Sequence, residues 1–226
     1  MPALVATRLI LMALLAVGGG PPGAGAPAAT GTPWPATGTI LHASRDPNAS
    51  ISAVWYADAM DKVFRSSQPA QPEPSRPPTP TPTTVQMAAA RGERQPFQLV
   101  LSCTQPVGNV SVQPVRQRGI AAIDVRRVAY THIEFPVNEA NRTGLFPDPL
   151  PVEHKSMLAV GANPFWITVQ VSNSSSTPSV ARARLLVERG GDGPVIRIDL
   201  AIKIHDFAIP DIRHASQQSL TSFNQE

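Results

Sequence analysis

VIRIDLAIKIHDF, Val195 to Phe207, decides the fold. Ile196, Ile198, Leu200, Ile202 and Ile204 alternate with Arg197, Asp199, Ala201, Lys203 and His205. Successive side chains of a strand point to opposite faces, so this period of two predicts a strand with one apolar and one wet face. The pattern recurs upstream. QPFQLVLS sets Phe97, Leu99 and Leu101 on one face, and NVSVQPV pairs Val110 with Val112. NPFWITVQV sets Phe165, Ile167, Val169 and Val171 against Trp166, Thr168 and Gln170. VARARLLVE sets Ala181, Ala183, Leu185 and Val187 against Arg182 and Arg184. VQMAAAR reads as a short strand and VRRVAYTHIEF, Val125 to Phe135, as one long strand. RGGDGP before Val195 reads as the hairpin joining the last two strands. No segment after Phe64 carries a helical period. Many strands with one apolar face each must bury those faces on one another, which predicts an all-β, two-layer antiparallel sandwich.

The ends of the chain read differently. Arg8, the apolar run Leu9 to Val17 and a small-residue exit at Ala24-Gly25-Ala26 describe a secretory signal peptide over residues 1–26. The run is shorter than the roughly 20 apolar residues a membrane-spanning helix needs, so no stable membrane insertion is expected after cleavage. The expected location is outside the cell or in a periplasm. Residues 27–50, rich in Pro, Gly, Thr and Ala, are expected to be a flexible arm, with order beginning at Ile51. The sandwich is expected over 51–212, interrupted by an exposed Pro/Thr-rich insertion at 66–84. Asn48, Asn109, Asn141 and Asn173 open N-glycosylation sequons.

Composition excludes several kinds of chemistry. One cysteine, Cys103, rules out an intrachain disulfide, and its strand context predicts a small buried apolar residue rather than a thiol catalyst. The net charge of +3 comes from scattered arginines without interleaved aromatics, which argues against nucleic acid. His132 and Glu134 share a strand face, but two ligands do not make a metal site, so neither metal nor cofactor is expected. His205 and Asp206 are expected to tie down chain at the domain exit. No two acidic residues are adjacent, and no nucleophile elbow or phosphate-binding glycine loop occurs. No catalytic residue is therefore assigned.

Six segments in fixed order carry a resemblance: VWYADAMDKVFRSSQP, MAAARGERQPFQLVLS, VRRVAYTHIEFP, RTGLFPDPLP, NPFWITVQV and IKIHDFAIP. Together they resemble the N-terminal region of glycoside hydrolase family 123-like, DUF4091-containing proteins. The resemblance implies a β-sandwich of general immunoglobulin-like architecture preceding a (β/α)8 barrel, the barrel carrying N-acetyl-β-galactosaminidase chemistry through an adjacent Asp-Glu pair. That pair does not occur here. By the resemblance, LTSFNQE, within residues 213–226, falls where a following barrel would begin. The implied role is a non-catalytic support whose partner is that barrel. Two alternatives stand beside it. One is a stand-alone carbohydrate-binding module, with Trp55, Tyr56, Tyr130 and Trp166 as candidate sugar-stacking residues. The other is a secreted immunoglobulin-like protein-interaction domain.

The proline-rich stretch NRTGLFPDPLPV, Asn141 to Val152, reads as a stiff extended strut, poor at joining a sheet interior. Arg142, Asp148 and Trp166 are the candidate glycan or interdomain contacts.

Overall fold

The computed structural model describes residues 35–70, 84–116, 118–135, 143–151, 156–174, 176, 178–190 and 195–209. All of them belong to one compact unit, Thr32–Glu226. Residues 1–26, where a signal peptide is expected, the start of the expected arm, most of the Pro/Thr-rich stretch, Asn141, Arg142 and residues 213–226 lie outside the described residues.

Among the described residues every regular element is a strand. They are β1 (Ile40–Ala43), β2 (Ile51–Ala57), β3 (Thr84–Arg91), β4 (Arg94–Cys103), β5 (Val107–Arg116), β6 (Ile120–Arg127), β7 (Tyr130–Ile133), β8 (Gly144–Pro147), β9 (Ser156–Leu158), β10 (Gly161–Val171), β11 (Val180–Arg189) and β12 (Ile196–Ala208). One five-stranded sheet runs β1-β2-β4-β10-β6 and the other β3-β12-β11-β5-β9; β7 and β8 form a separate two-stranded ribbon. The two large sheets stack on a shared core, so the fold is a β-sandwich.

The period of two sorts the side chains as it predicts. Phe97, Leu99, Leu101, Phe165, Ile167, Val169 and Val171 come from the first sheet. They meet Ala181, Ala183, Leu185, Val187, Ile198, Leu200 and Ile202 from the second in one buried cluster. Cys103 joins that cluster, and burial pushes its thiol pKa up to about 11. β11 and β12 pair antiparallel, Leu185 opposite Ile198.

Three expectations need correction. β3 pairs parallel to β12, so the second sheet is mixed rather than wholly antiparallel. Alternation fixes which face a side chain takes but is blind to a neighbour's direction. The arm at 27–50 is not all arm, and order begins before Ile51. Ile40–Ala43 pairs with β2, and Leu41 is fully buried in the shared core. The long strand Val125 to Phe135 is two strands. Val128 N still donates to Pro164 O of β10 at 2.9 Å, and the chain then leaves that edge: Ala129 N donates to Pro149 O at 2.8 Å, and β7 pairs with β8.

Candidate functional site

The outward face of the first sheet is not wet. Pairing β10 with β4 sets Trp166 directly opposite Gln98, and β2 with β4 sets Trp55 opposite Val100. Directly opposed residues share a face. Trp55, Ala57, Val63, Val100 and Ala162 form a second apolar cluster there, separate from the shared core. Val63 comes from the segment that follows β2, which folds back over the sheet.

A guanidinium holds that segment down. Arg65 Nη1 donates to Ala162 O at 3.2 Å and to Asn163 Oδ1, while Ala162 N donates to Arg65 O at 3.0 Å. The guanidinium carbon lies 4.2 Å above the Tyr130 ring, a cation–π contact. Burial lowers the Arg65 pKa, the Tyr130 side opposes that, and Arg127 adds to it. Tyr130 in turn donates its hydroxyl to Val63 O at 2.9 Å, and burial pushes its own pKa up to about 12. Asn163, 3% exposed, also accepts from Ala159 N at 3.1 Å and donates to Ala159 O at 2.8 Å and Gly161 O at 2.9 Å. Gly161 sits at φ +92°, and a Cβ there would collide with the Arg65 carbonyl oxygen, so the clamp requires glycine.

The ribbon closes the other side. Phe146 of β8 meets Phe64 edge-to-face at 5.3 Å between centroids, and Lys62 Nζ donates to Pro147 O at 3.4 Å. FPDPLP is thus a strut, but it braces residues 62–65 of this same sandwich. Its paired part is an edge ribbon, as its prolines demand. Gly144 turns at φ +120° with open space around it.

Between strut, folded-back segment and sheet lies a cleft of about 330 Å³. Trp166, Gln98 and Val128 line it together with Ala59, Met60, Asp61, Lys62, Pro147, Asp148 and Leu150. The structure therefore brings Asp148 and Trp166 together, while Arg142 lies outside the described residues. Asp148 is 80% exposed and lies 3.9 Å from the Lys62 ammonium, a long surface pair of little energetic weight. Asp61 accepts from Thr37 Oγ1. Gln98 is 3% exposed and donates from Nε2 to Asp58 O and Asp61 O, each at 2.8 Å. Gln98, Lys62, Arg65 and Asn163 were not among the residues singled out from sequence. Nothing local in the sequence marks them, since an outward-facing Gln98 in an apolar strand reads like any solvated glutamine.

The other candidate stacking residues do not face solvent. Trp55 is 2% exposed and donates Nε1 to Ser102 Oγ at 3.0 Å; Tyr56 is buried against Phe97 with ring centroids 5.8 Å apart; Tyr130 is capped by Arg65. His132 and Glu134 stand 3.9 Å apart on the exposed ribbon. Asp206 accepts from Arg91 Nη1 at 3.0 Å at the end of β12. Among the described residues no group of three or more His, Cys, Asp or Glu could hold a metal ion. Asn48, Asn109 and Asn173 are exposed, and Asn109 adopts φ 54°. A larger cleft of about 860 Å³ opens beside the β1–β2 loop. Its buried hydroxyl, Ser50 Oγ, is already engaged by Gln105 Nε2 at 2.6 Å and Arg189 Nη1 at 3.3 Å.

No family model matches the sequence, and no curated protein matches it. Among solved structures, the chain is similar to a family 123 glycoside hydrolase from Clostridium perfringens, described for glycolipid glycan hydrolysis. The TM-score is 0.49 at 14% identity, over 57% of this chain and 24% of that one. This chain thus spans about a quarter of that enzyme's length. It is also similar to the CooA pilin subunit from enterotoxigenic Escherichia coli, with a TM-score of 0.29 at 10% identity, over 57% of this chain and 92% of the subunit.

Proposed function

We propose that this chain is the non-catalytic N-terminal β-sandwich of a secreted glycoside hydrolase-like protein, and that it supports a following (β/α)8 barrel of N-acetyl-β-galactosaminidase type. One observation carries the reading. Five of the six segments that resemble the family converge on the outward layer of the first sheet. Phe64 and Arg65 come from the first, Gln98 from the second, Tyr130 from the third, Phe146 and Asp148 from the fourth, and Asn163 and Trp166 from the fifth. A sandwich needs only the core between its sheets in order to fold. A half-buried guanidinium clamp on an outward face is an additional outlay, and a rigid supporting surface is what it provides.

Two measurements test the proposal. The purified chain should release no 4-nitrophenol from 4-nitrophenyl N-acetyl-β-galactosaminide above the buffer rate, and measurable turnover overturns the non-catalytic role. Reading the coding sequence downstream of Glu226 should reveal a barrel-type βα repeat; a stop codon there overturns the supporting role.

A further inference from the structure

From the cleft beneath the strut we infer a second role: this face binds a neutral saccharide, with Trp166 as the stacking platform and the Gln98 amide oxygen as an acceptor in the cleft wall. The inference goes beyond the supporting role and stands on the geometry of the cleft alone. Gln98 is the decisive residue. Its Nε2 carries two hydrogens, and both are donated to backbone carbonyls, those of Asp58 and Asp61. Two carbonyl acceptors fix the orientation of the amide, because its oxygen could not bond to either. Oε1 then faces the cleft with no partner among the described residues, on a side chain that is 3% exposed. An acceptor left open at the wall of a cleft can take a donor hydrogen from a ligand.

The remaining polar groups set the class of ligand. Asp61 and Asp148 add carboxylate acceptors, and Lys62 is the one cationic side chain in the lining. An acceptor-rich cleft with net negative charge repels anions. It also suits a proline-rich peptide poorly, since prolyl nitrogens donate nothing. A pyranose matches it: hydroxyl donors around the rim and an apolar C–H face to lie on the half-buried Trp166 ring. At about 330 Å³ the cleft sits at the lower end of the range for small-molecule sites, enough for one or two sugar rings.

The test uses the 226-residue chain. Lactose, cellobiose, chitobiose and free N-acetylgalactosamine are titrated to about 10 mM by calorimetry and tryptophan fluorescence. An unsaturated chondroitin sulfate disaccharide and a Pro/Thr-rich peptide serve as the acidic and peptide arms. At least one neutral sugar should bind with a dissociation constant of millimolar order or tighter. Trp166→Ala should weaken that binding about tenfold or more, and Asp148→Asn about threefold. Asp148 is exposed, so its variant reports even if Trp166→Ala fails to fold. Absence of binding by every neutral sugar overturns the inference. So does tighter binding of the acidic disaccharide or the peptide, or binding unchanged in Asp148→Asn and in any folded Trp166→Ala. The 4-nitrophenyl assay is untouched by these outcomes, so failure here and failure of the supporting role are told apart.

Discussion

The two outward faces of the sandwich are built to opposite plans. On the second sheet Arg184 pairs across to Asp199 at 2.6 Å, with Arg182, Arg197 and Lys203 exposed around it. That is a solvated ladder of charge. On the first sheet the corresponding positions hold Trp55, Gln98, Val100, Ala162 and Trp166, and a folded-back segment and a ribbon lie over them. The inner faces share one core, so stability of the sandwich does not explain the difference. An outward face that excludes water where its counterpart welcomes it is the one to which the proposed supporting and binding roles belong. Two contrasts each set one residue of the covered face against a counterpart on the open one, and a third tests the seam between them.

The largest contrast is apolar. Trp55→Ala removes a buried indole and its hydrogen bond to Ser102, and should cost about 3–5 kcal/mol in urea unfolding. Leu186→Ala, on the half-buried outward side of β11, should cost less than about 1 kcal/mol. Equal costs would mean that the second cluster is surface decoration rather than a layer.

The next contrast is between two arginines. Arg65→Met keeps the length of the side chain but removes the donor to Ala162 O and Asn163 Oδ1, leaving acceptors buried without it. The expected loss is about 3 kcal/mol, with proteolysis newly admitted between residues 58 and 70. Arg184→Met breaks a pair in which both side chains are more than two-fifths exposed, and should cost under about 1 kcal/mol. A loss at Arg65 no larger than that at Arg184 would remove the clamp from the account.

The inner faces were legible because side-chain period is a local property. Ile198 through Ile204 and Phe165 through Val171 occupy the core positions their alternation assigns. Other features depend on contacts far apart in sequence. β1 contributes Leu41 as its fully buried core residue, from within a stretch whose composition reads as arm. Val128 and Ala129 have ordinary strand propensity, so only the change of partner, from Pro164 of β10 at Val128 to Pro149 at Ala129, reveals that one strand has become two. Asp148 and Trp166 could be singled out by residue type, and the fold does bring them to one cleft. Gln98 and Arg65 could not be singled out, because their roles exist only once residues 58–67 fold back across the sheet. An outward-facing glutamine in an isolated strand is indistinguishable from a solvated one.

The smallest predicted effect belongs to the seam between the two regions. His42 sits on edge strand β1, beside Leu41, and shares the larger cleft with Arg45, Asp46 and Arg189. Burial lowers its pKa below the ordinary 6.5. The unfolded chain therefore binds this proton more readily than the folded one between the two pKa values. The stability this neutral imidazole contributes is present above about pH 6.5 and is lost as pH falls from there through the lowered folded value. His42→Asn removes the titration without changing either outward face. Between about pH 7.5 and pH 5.5 the urea midpoint of the parent should fall further than that of His42→Asn. Parallel curves would show that His42 is as solvated as the charged ladder on the second sheet, and that the seam is open where burial of the imidazole says it is closed.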